Sequence, residues 1–237
     1  MPINCFMCTI CKYKYKDFIN SHRDFEGLER FCNICGYRFS KFLNFNNREA
    51  MCPVCGSLER HRHLAIHLFS IYPFLQNKKI LHFAPEQIIK NILINSSANY
   101  YDADLDTTRA KYNIDITKID FPDNTFDYII CIHVLEHIVD DIKALNEIYR
   151  VLKPHGIAYL AVPCFNALHE DYSITDPKER EKIYGQFDHV RKYDLDTFTN
   201  RIKSVGFSIK ISDPQKFNNL FSNSVLDDDK IIISLKE

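Results

Sequence analysis

The chain of 237 residues has no tryptophan, three methionines and six glycines, and no glycine lies between Gly56 and Gly156. It lacks a hydrophobic run near the length of about 18 residues that spans a bilayer, which excludes a membrane-spanning helix. The first residues, MPINCFMCTICKYKYK, have neither the basic start nor the apolar core of a secretory signal, so we expect a cytoplasmic protein. The net charge of −1 argues against a strongly basic nucleic-acid binder, and no pattern specifies an oligomeric state.

The composition and length favour a globular protein with more than one part. Hydrophobic residues make up 46% of the chain and charged residues 26%, which is ordinary for a folded protein. A chain of this length can form one large domain and a small additional module.

The cysteines are concentrated near the start of the chain, where seven of the nine lie within the first 55 residues. Without a secretion signal, such clustering indicates metal ligands rather than disulfides. The segments CNIC and CPVC place Cys32, Cys35, Cys52 and Cys55 in two Cys-x2-Cys pairs separated by sixteen residues. Two such pairs form the closed tetrahedral thiolate shell of structural zinc. We therefore predict a zinc-ribbon-like module over residues 1–60.

Two other features of this region leave alternatives open. Cys5, Cys8 and Cys11 form either a second zinc site with His22 or thiols in an N-terminal tail. The basic run from Arg60 to His63 is either a solvated face or a phosphate contact, and we expect the solvated face.

Residues 61–237 show an alternation of strand and helix patterns. Apolar runs predict strands at 79–83, 100–104, 112–116, 126–132, 156–162, 206–212 and 230–236. Periodic apolar positions with capping and stop signals predict helices at about 86–96, 139–153 and 194–205. This order predicts an α/β domain with a mainly parallel sheet and helices on both faces.

The segment KILHFAPEQ occupies the place where nucleotide-binding α/β folds carry a glycine-rich loop. A strand ending at Phe83 leads through Ala84 and Pro85 to Glu86, at the sheet edge where ligands bind. The carboxylate of Glu86 disfavours a pyrophosphate there and favours a cationic sulfonium or ammonium group. Whether this loop binds a cofactor without glycine is therefore a central question of the sequence.

The next two strands end in acidic residues. Asp104 lies about twenty residues after the loop, where an acid accepts hydrogen bonds from the ribose of an adenosine ligand, with Asp102 and Asp106 as alternatives. Asp115 and Ile116 end the third strand, where they can contact the amino group and the ring of adenine.

Longer segments carry a resemblance to a known family. DITKIDFPDNTFDYIICIHVLEHIVDD, EIYRVLKPHGIAYLAVP and the pair Gly206–Phe207 resemble the class I S-adenosylmethionine-dependent methyltransferases. CPVCGSLERHRHL together with LHFAPE resembles a subgroup that has an N-terminal zinc knuckle and is associated with bacterial surface polysaccharides. The chain departs from the family where His82–Glu86 replaces the usual glycine-rich motif.

The resemblance implies a Rossmann-like sheet whose last strand is antiparallel, with S-adenosylmethionine as cofactor. It implies that the cofactor is held by Phe83, Ala84, Pro85, Glu86, Asp104, Leu105, Asp115, Ile116 and His133. His137 is expected in the helix that follows.

The polar segment 163–193 is the expected acceptor-binding region, because long loops over a sheet edge commonly bind ligands. His189 is the predicted general base, oriented by Asp188, with His133 and His169 as alternative bases. His189 could instead brace the last helix. The predicted substrate contacts are His169, Arg191 and Tyr193.

These patterns predict an O-methyltransferase acting on a small molecule such as a sugar, a nucleotide-linked sugar or another surface-glycan precursor. The alternatives are an RNA base methyltransferase with a zinc module and a catalytically inactive scaffold. Nucleic acid is disfavoured because no basic stripe with interleaved aromatic residues follows the cysteine-rich part.

Overall fold

The computed structural model of the protein describes residues 9–217 and 230–237. The chain divides into two compact units, Met1–Tyr72 with Asp213–Asp229 and Pro73–Ser212 with Lys230–Glu237. Within the described ranges, no helix is long and apolar enough to cross a membrane.

The first unit contains two short hairpins between two helices. Its elements are α1 (Thr9–Ser21), β1 (Arg30–Phe31), β2 (Arg38–Phe39), β3 (Leu43–Phe45), β4 (Arg48–Met51) and α2 (Glu59–Ile71). β1 pairs with β2 and β3 pairs with β4, both antiparallel. The buried residues of its core are mainly cysteines and aromatics, and Tyr15 of α1 stacks on Tyr37 at 4.0 Å between ring centroids.

The start of α2 is bonded to the preceding hairpin through a buried arginine. Arg62 donates to the carbonyl oxygens of Ser57 at 2.7 Å and Ala50 at 3.0 Å, and its guanidinium lies 4.3 Å from the ring centroid of Phe42. The expected solvated face at Arg60–His63 is therefore wrong, because three of its four side chains are buried. The predicted domain boundary between residues 60 and 61 falls inside α2, whereas the two units divide after Tyr72.

The second unit contains the main sheet, its helices and a small additional sheet. Its strands are β5 (Lys79–Phe83), β6 (Asn99–Asp104), β7 (Tyr112–Asn113), β8 (Phe126–Ile132), β9 (Leu152–Ala161), β10 (Cys164–Phe165), β11 (His169–Glu170), β12 (Arg191–Asp194), β13 (Phe207–Ser212) and β14 (Ile231–Lys236). Its helices are α3 (Gln87–Asn95), α4 (Asp141–Val151), α5 (Pro177–Tyr184) and α6 (Leu195–Ser204).

The main sheet has seven strands in the order β13-β14-β9-β8-β5-β6-β7. β7, β6, β5, β8 and β9 pair in parallel, and β14 pairs antiparallel with both β9 and β13. β5 and β8 are buried along most of their length, as expected for strands covered on both faces. The predicted Rossmann-like, mostly parallel sheet with an antiparallel last strand is confirmed.

The strand order reverses direction between β5 and β8. The chain builds outward from β5 through β6 to β7, then returns to add β8 and β9 on the other side. Open α/β sheets bind ligands at the carboxyl ends of the strands at such a switch point. The segments that follow Phe83 and Ile132 therefore border the expected ligand site.

The segment 163–193 is not the long loop that its polarity suggested. It contains β10, β11 and β12, which form a three-stranded sheet in the order β10-β12-β11, together with α5. The side chain of Asp176 accepts from the backbone N–H of Glu179 at 3.0 Å and begins α5, which ends at Gly185 with φ of 87°. These local signals explain the helix despite its polar sequence.

Candidate functional site

The loop after β5 places alanine where the backbone has a left-handed conformation. Ala84 has φ of 46°, and its N–H donates to the carbonyl oxygen of Ala103 on β6 at 2.9 Å. Glycine adopts this conformation without steric cost, whereas a side chain disfavours it. The chain therefore makes the turn of a glycine-containing cofactor loop with Ala84, while Phe83 is buried in the core.

Asp104 ends β6 next to this loop, and one of its carboxylate oxygens lacks a hydrogen bond within the described residues. Its Oδ1 accepts from the N–H of Asp106 at 2.9 Å. Its Oδ2 is buried and has no hydrogen-bond partner in the described part of the chain, with Arg109 Nε 3.7 Å away. The adjoining Leu105 is 64% exposed, so an acceptor oxygen and an apolar surface lie side by side.

The two alternatives to Asp104 are occupied by local contacts. Asp102 is buried, and its Oδ2 accepts from Lys90 Nζ at 2.5 Å. Asp106 accepts from both the N–H and the hydroxyl of Thr108, which is the geometry of a turn-forming aspartate.

The predicted adenine contacts differ in exposure. Asp115 is exposed, and its Oδ1 accepts from the N–H and hydroxyl of Thr117, both at 2.8 Å. Ile116 is buried in the core, so its side chain packs inside the domain. Asp115 therefore remains the exposed member of the predicted pair.

The segment after β8 forms a polar cluster with the residues before β12. His133 has φ of 55°, and its Nδ1 lies 3.4 Å from Oε1 of Glu136 in the 3-10 turn Leu135–His137. The rings of His137 and His189 lie 4.7 Å apart and nearly perpendicular. His133 and His189 are far apart in the sequence, yet both lie in this polar cluster.

The partner of Asp188 differs from the predicted one. Its Oδ2 lies 3.4 Å from Nδ1 of His137, so Asp188 faces His137 where it was expected to orient His189. His137 itself lies in the turn before α4, which corrects its expected place in the helix. Burial lowers the pKa of His189, with Glu136 and Asp188 acting in the opposite direction.

Arg191 is held inside the protein by two carboxylates. Its Nη1 lies 2.6 Å from Asp141 Oδ2 and its Nε lies 2.8 Å from Glu170 Oε1. Burial alone would lower the pKa of Arg191, but Tyr193, Asp141 and Glu170 raise it. The predicted contact of Arg191 with substrate is corrected to an internal ion pair, because its guanidinium is fully buried.

The other two predicted substrate contacts have different surroundings. Tyr193 is buried and its hydroxyl donates to Asp141, so it belongs to the same internal cluster as Arg191. Burial and the nearby Asp141 raise the pKa of this hydroxyl. His169 is exposed on β11, with its ring 5.5 Å from that of Tyr184, and remains accessible to a ligand.

In the first unit, the four cysteines of the predicted zinc module come together. The Sγ atoms of Cys32 and Cys55 are 3.6 Å apart, as are those of Cys35 and Cys52, and all four lie within 4.8 Å of one another. A zinc ion with Zn–S bonds of about 2.3 Å separates its sulfurs by about 3.8 Å in a tetrahedron. The arrangement therefore fits a four-thiolate metal site.

The backbone around each cysteine pair repeats the same turn. Gly36 and Gly56 follow the second cysteine of each pair and have φ of 75° and 73°. Their N–H groups donate to the carbonyl oxygens of Cys32 and Cys52 at 2.7 and 2.9 Å. The role of Cys5, Cys8 and Cys11 stays an open prediction, because their side chains lie outside the described residues.

The sheet order and the switch-point site define the class I methyltransferase fold. The S-adenosylmethionine-dependent methyltransferase from Archaeoglobus fulgidus has a similar structure, with a TM-score of 0.52 and 14% identity over 74% of this chain and 94% of that chain. At this identity the likeness concerns the fold alone.

The sequence comparisons identify the class of domain. Residues 82–160 match the family model described as a methyltransferase domain. A sterol 24-C-methyltransferase from Schizosaccharomyces pombe is 36% identical over 103 residues, covering 40% of this chain and 25% of that protein. A probable S-adenosylmethionine-dependent methyltransferase from Mycolicibacterium smegmatis is 25% identical over 118 residues, covering 47% of this chain and 42% of that protein. The chain spans less than half of the length of these curated relatives.

Residues 82–160 of the second unit therefore match a methyltransferase domain, and this match together with the relatives supports the predicted enzyme class. Neither of these two relatives is named for a sugar acceptor, and one is named for methylation of a sterol carbon.

Proposed function

We propose that this protein transfers a methyl group from S-adenosylmethionine to a hydroxyl group of a small molecule, with a structural zinc ion in its first unit. The proposed acceptor is a sugar, a nucleotide-linked sugar or another surface-glycan precursor in the cytoplasm. The acceptor class rests on the resemblance of CPVCGSLERHRHL and LHFAPE to the polysaccharide-associated subgroup.

The observation that carries the proposal is the buried Oδ2 of Asp104, which has no hydrogen-bond partner among the described residues. A buried carboxylate oxygen is costly unless a donor reaches it, and a ribose hydroxyl is such a donor. Asp104 also stands at the end of the strand next to β5, beside the switch point.

The proposed binding mode extends from Asp104 to the neighbouring strand ends. Leu105 would provide an exposed apolar surface for the adenine. The Oδ1 of Asp115 is used by Thr117, so the Oδ2 of this exposed residue would accept from the adenine amino group. The turn at Ala84–Glu86 would surround the methionine part, where the carboxylate of Glu86 favours the positive charges of the sulfonium and the ammonium.

The proposed chemistry needs alignment and a proton acceptor. The acceptor oxygen forms a bond to the methyl carbon while the carbon–sulfur bond breaks, and the electron pair of that bond stays on sulfur. The hydroxyl proton leaves to the polar cluster next to β8, where His189 is the predicted base. Its lowered pKa keeps the imidazole neutral, and therefore able to accept a proton, near neutral pH.

The test is calorimetric titration of S-adenosylhomocysteine into zinc-loaded protein, its Asp104→Asn variant and an Asp106→Asn control. We expect micromolar binding that Asp104→Asn weakens at least tenfold and Asp106→Asn leaves unchanged. At about 100 times its dissociation constant, the ligand should stabilise the fold by about 2.7 kcal/mol, which melting curves can verify. Failure to bind at millimolar ligand would exclude the methyltransferase mechanism and favour the scaffold.

The acceptor is tested by incubating the enzyme with methyl-labelled S-adenosylmethionine and either a panel of nucleotide-linked sugars or structured RNA. Label that remains on the sugar as an O-methyl ether after acid hydrolysis of the product supports O-methylation of a glycan precursor. Label in RNA alone would replace the proposed acceptor with a nucleic acid.

A further inference from the structure

The polar cluster after β8 contains three side chains of the types that bind transition metals. One ligand atom each from Glu136, His137 and His189 lies within 4.8 Å of the others. Two ligands on opposite sides of one ion are about 4.2 Å apart when each bond is about 2.1 Å. Small side-chain rotations therefore suffice to bring all three atoms onto a single ion.

Two of these three side chains are buried with unsatisfied polar atoms. Glu136 is 2% exposed and His189 is 7% exposed. Neither carboxylate oxygen of Glu136, nor Nδ1 of His189, has a hydrogen-bond partner within residues 9–217 and 230–237. The atom nearest the carboxylate in an ion pair is His133 Nδ1, at 3.4 Å. A buried carboxylate with so little compensation is a position that a bound cation would stabilise.

The backbone brings these residues together independently of any ligand. The 3-10 turn Leu135–His137 presents Glu136 and His137 consecutively at the end of β8. The N–H of Val190 donates to the carbonyl oxygen of Glu136 at 3.0 Å, which holds the neighbouring His189 against this turn. Two segments about fifty residues apart thus meet at one point.

We propose that Glu136, His137 and His189 bind one divalent transition-metal ion. Two imidazoles and one carboxylate suit zinc, iron, cobalt or manganese better than calcium, which prefers oxygen ligands alone. The carboxylate oxygen of Asp188 lies 3.4 Å from Nδ1 of His137, which is the kind of partner that orients a metal-bound histidine. This site is separate in sequence and chemistry from the four-cysteine site.

Three protein ligands leave at least one coordination position open. An oxygen ligand can occupy that position. Because the cluster lies next to the switch point, the candidate ligand is the hydroxyl of the methyl acceptor. This assignment of the ligand rests on the proposed function. In the metal-bound protein the lone pair of His189 is given to the ion. His189 would then be a metal ligand and not the base. The ion would lower the pKa of the bound hydroxyl, whose proton would leave to solvent while its oxygen bonds to the methyl carbon.

Cobalt(II) titration of the full-length, zinc-loaded protein tests the site, with visible absorption and metal analysis as readouts. We expect one cobalt ion per chain beyond the cysteine-bound zinc, with a spectrum that lacks thiolate charge-transfer bands. Glu136→Gln and His189→Asn should each weaken cobalt binding at least tenfold. His155→Asn is the matched control, because His155 is exposed and has φ of 61°, which asparagine tolerates.

Each outcome decides the inference without measuring activity. No cobalt beyond the cysteine site, or equal cobalt affinity in Glu136→Gln, His189→Asn and the control, would overturn it. His137→Gln is a third variant, for use if either of the others loses its circular dichroism spectrum. S-adenosylhomocysteine binding is measured on the same samples. If cobalt binds and S-adenosylhomocysteine does not, the metal site is supported and the proposed function is refuted.

Discussion

Arg191 and Asp141 form an ion pair of 2.6 Å in which the two side chains are 0% and 5% exposed. Removing Arg191 leaves the carboxylates of Asp141 and Glu170 sharing Arg201 as their remaining cation. Breaking a buried ion pair in this way costs about 3–5 kcal/mol. We therefore expect Arg191→Met to lower the free energy of unfolding by about 3–5 kcal/mol, measured by urea denaturation.

The matched control is Lys192→Met on the same strand, where the ammonium lies 4.8 Å from the ring of Phe165. Loss of this cation–π contact should lower the free energy of unfolding by about 1 kcal/mol or less. If Arg191→Met left the unfolding midpoint unchanged and abolished acceptor binding, Arg191 would return to its predicted contact with substrate.

Glu170 makes stability depend on pH in the acid range. Hydrogen bonds from Arg201, which lie at 3.0 and 2.7 Å, hold the pKa of Glu170 below its usual value near 4.5. A carboxyl group with a lowered folded-state pKa contributes its full stability above the unfolded-state pKa and loses it as the pH falls below that value. We expect Glu170→Gln to cost about 2 kcal/mol at pH 7, because hydrogen bonds to charged groups contribute that much.

The difference in the free energy of unfolding between wild type and Glu170→Gln should shrink as the pH falls below about 4.5. Urea unfolding at a series of pH values measures it. Glu179→Gln, at an exposed position, changes the net charge by the same amount and should show neither effect. A difference that stays constant down to pH 3 would contradict the ionic origin of the stabilisation.

Ala84→Gly should stabilise the protein. A left-handed backbone costs a residue with a side chain about 1–2 kcal/mol, whereas glycine loses about 0.5–1 kcal/mol through its greater freedom in the unfolded chain. The expected net gain is about 0.5–1 kcal/mol, seen as a higher melting temperature. Ala103→Gly, in a buried strand position, should instead destabilise by about 1–2 kcal/mol. A loss of stability in Ala84→Gly would show that the Ala84 side chain contributes more packing than its backbone costs.

A zinc ion bound by Cys32, Cys35, Cys52 and Cys55 should stabilise the first unit. Cys35→Ser is expected to reduce bound zinc to substoichiometric levels and to make residues 9–72 sensitive to limited proteolysis, because small zinc modules rarely fold without metal. Cys131→Ala removes a buried thiol on β8 and should retain the full zinc content. Full zinc and protease resistance in Cys35→Ser would refute the four-thiolate site.

The sheet was predictable because its strands carry a strong local signal. Predicted strands at 79–83 and 126–132 coincide with the observed ones, since buried parallel strands appear as continuous apolar runs. The segment 163–193 was misinterpreted because its helix is polar on most of its surface. Its Asp176–Pro177 start and Gly185 end were visible in the sequence and would have identified α5.

The candidate site was predictable where a residue follows a strand directly, as Asp104 does. Glu136 was not singled out in the sequence, although a Glu-His pair just after a buried strand is itself a signal. The burial of Arg191 could not be foreseen, because its partners Asp141 and Glu170 come from segments far apart in the chain.

Ala84 has a further consequence for how this loop can change. Every alanine codon becomes a glycine codon through one base substitution, so the sequence that relieves the left-handed strain is always a single mutational step away. Ala84→Gly removes the strain and the methyl group together, so the cofactor affinity of this variant shows whether the methyl group itself has a function.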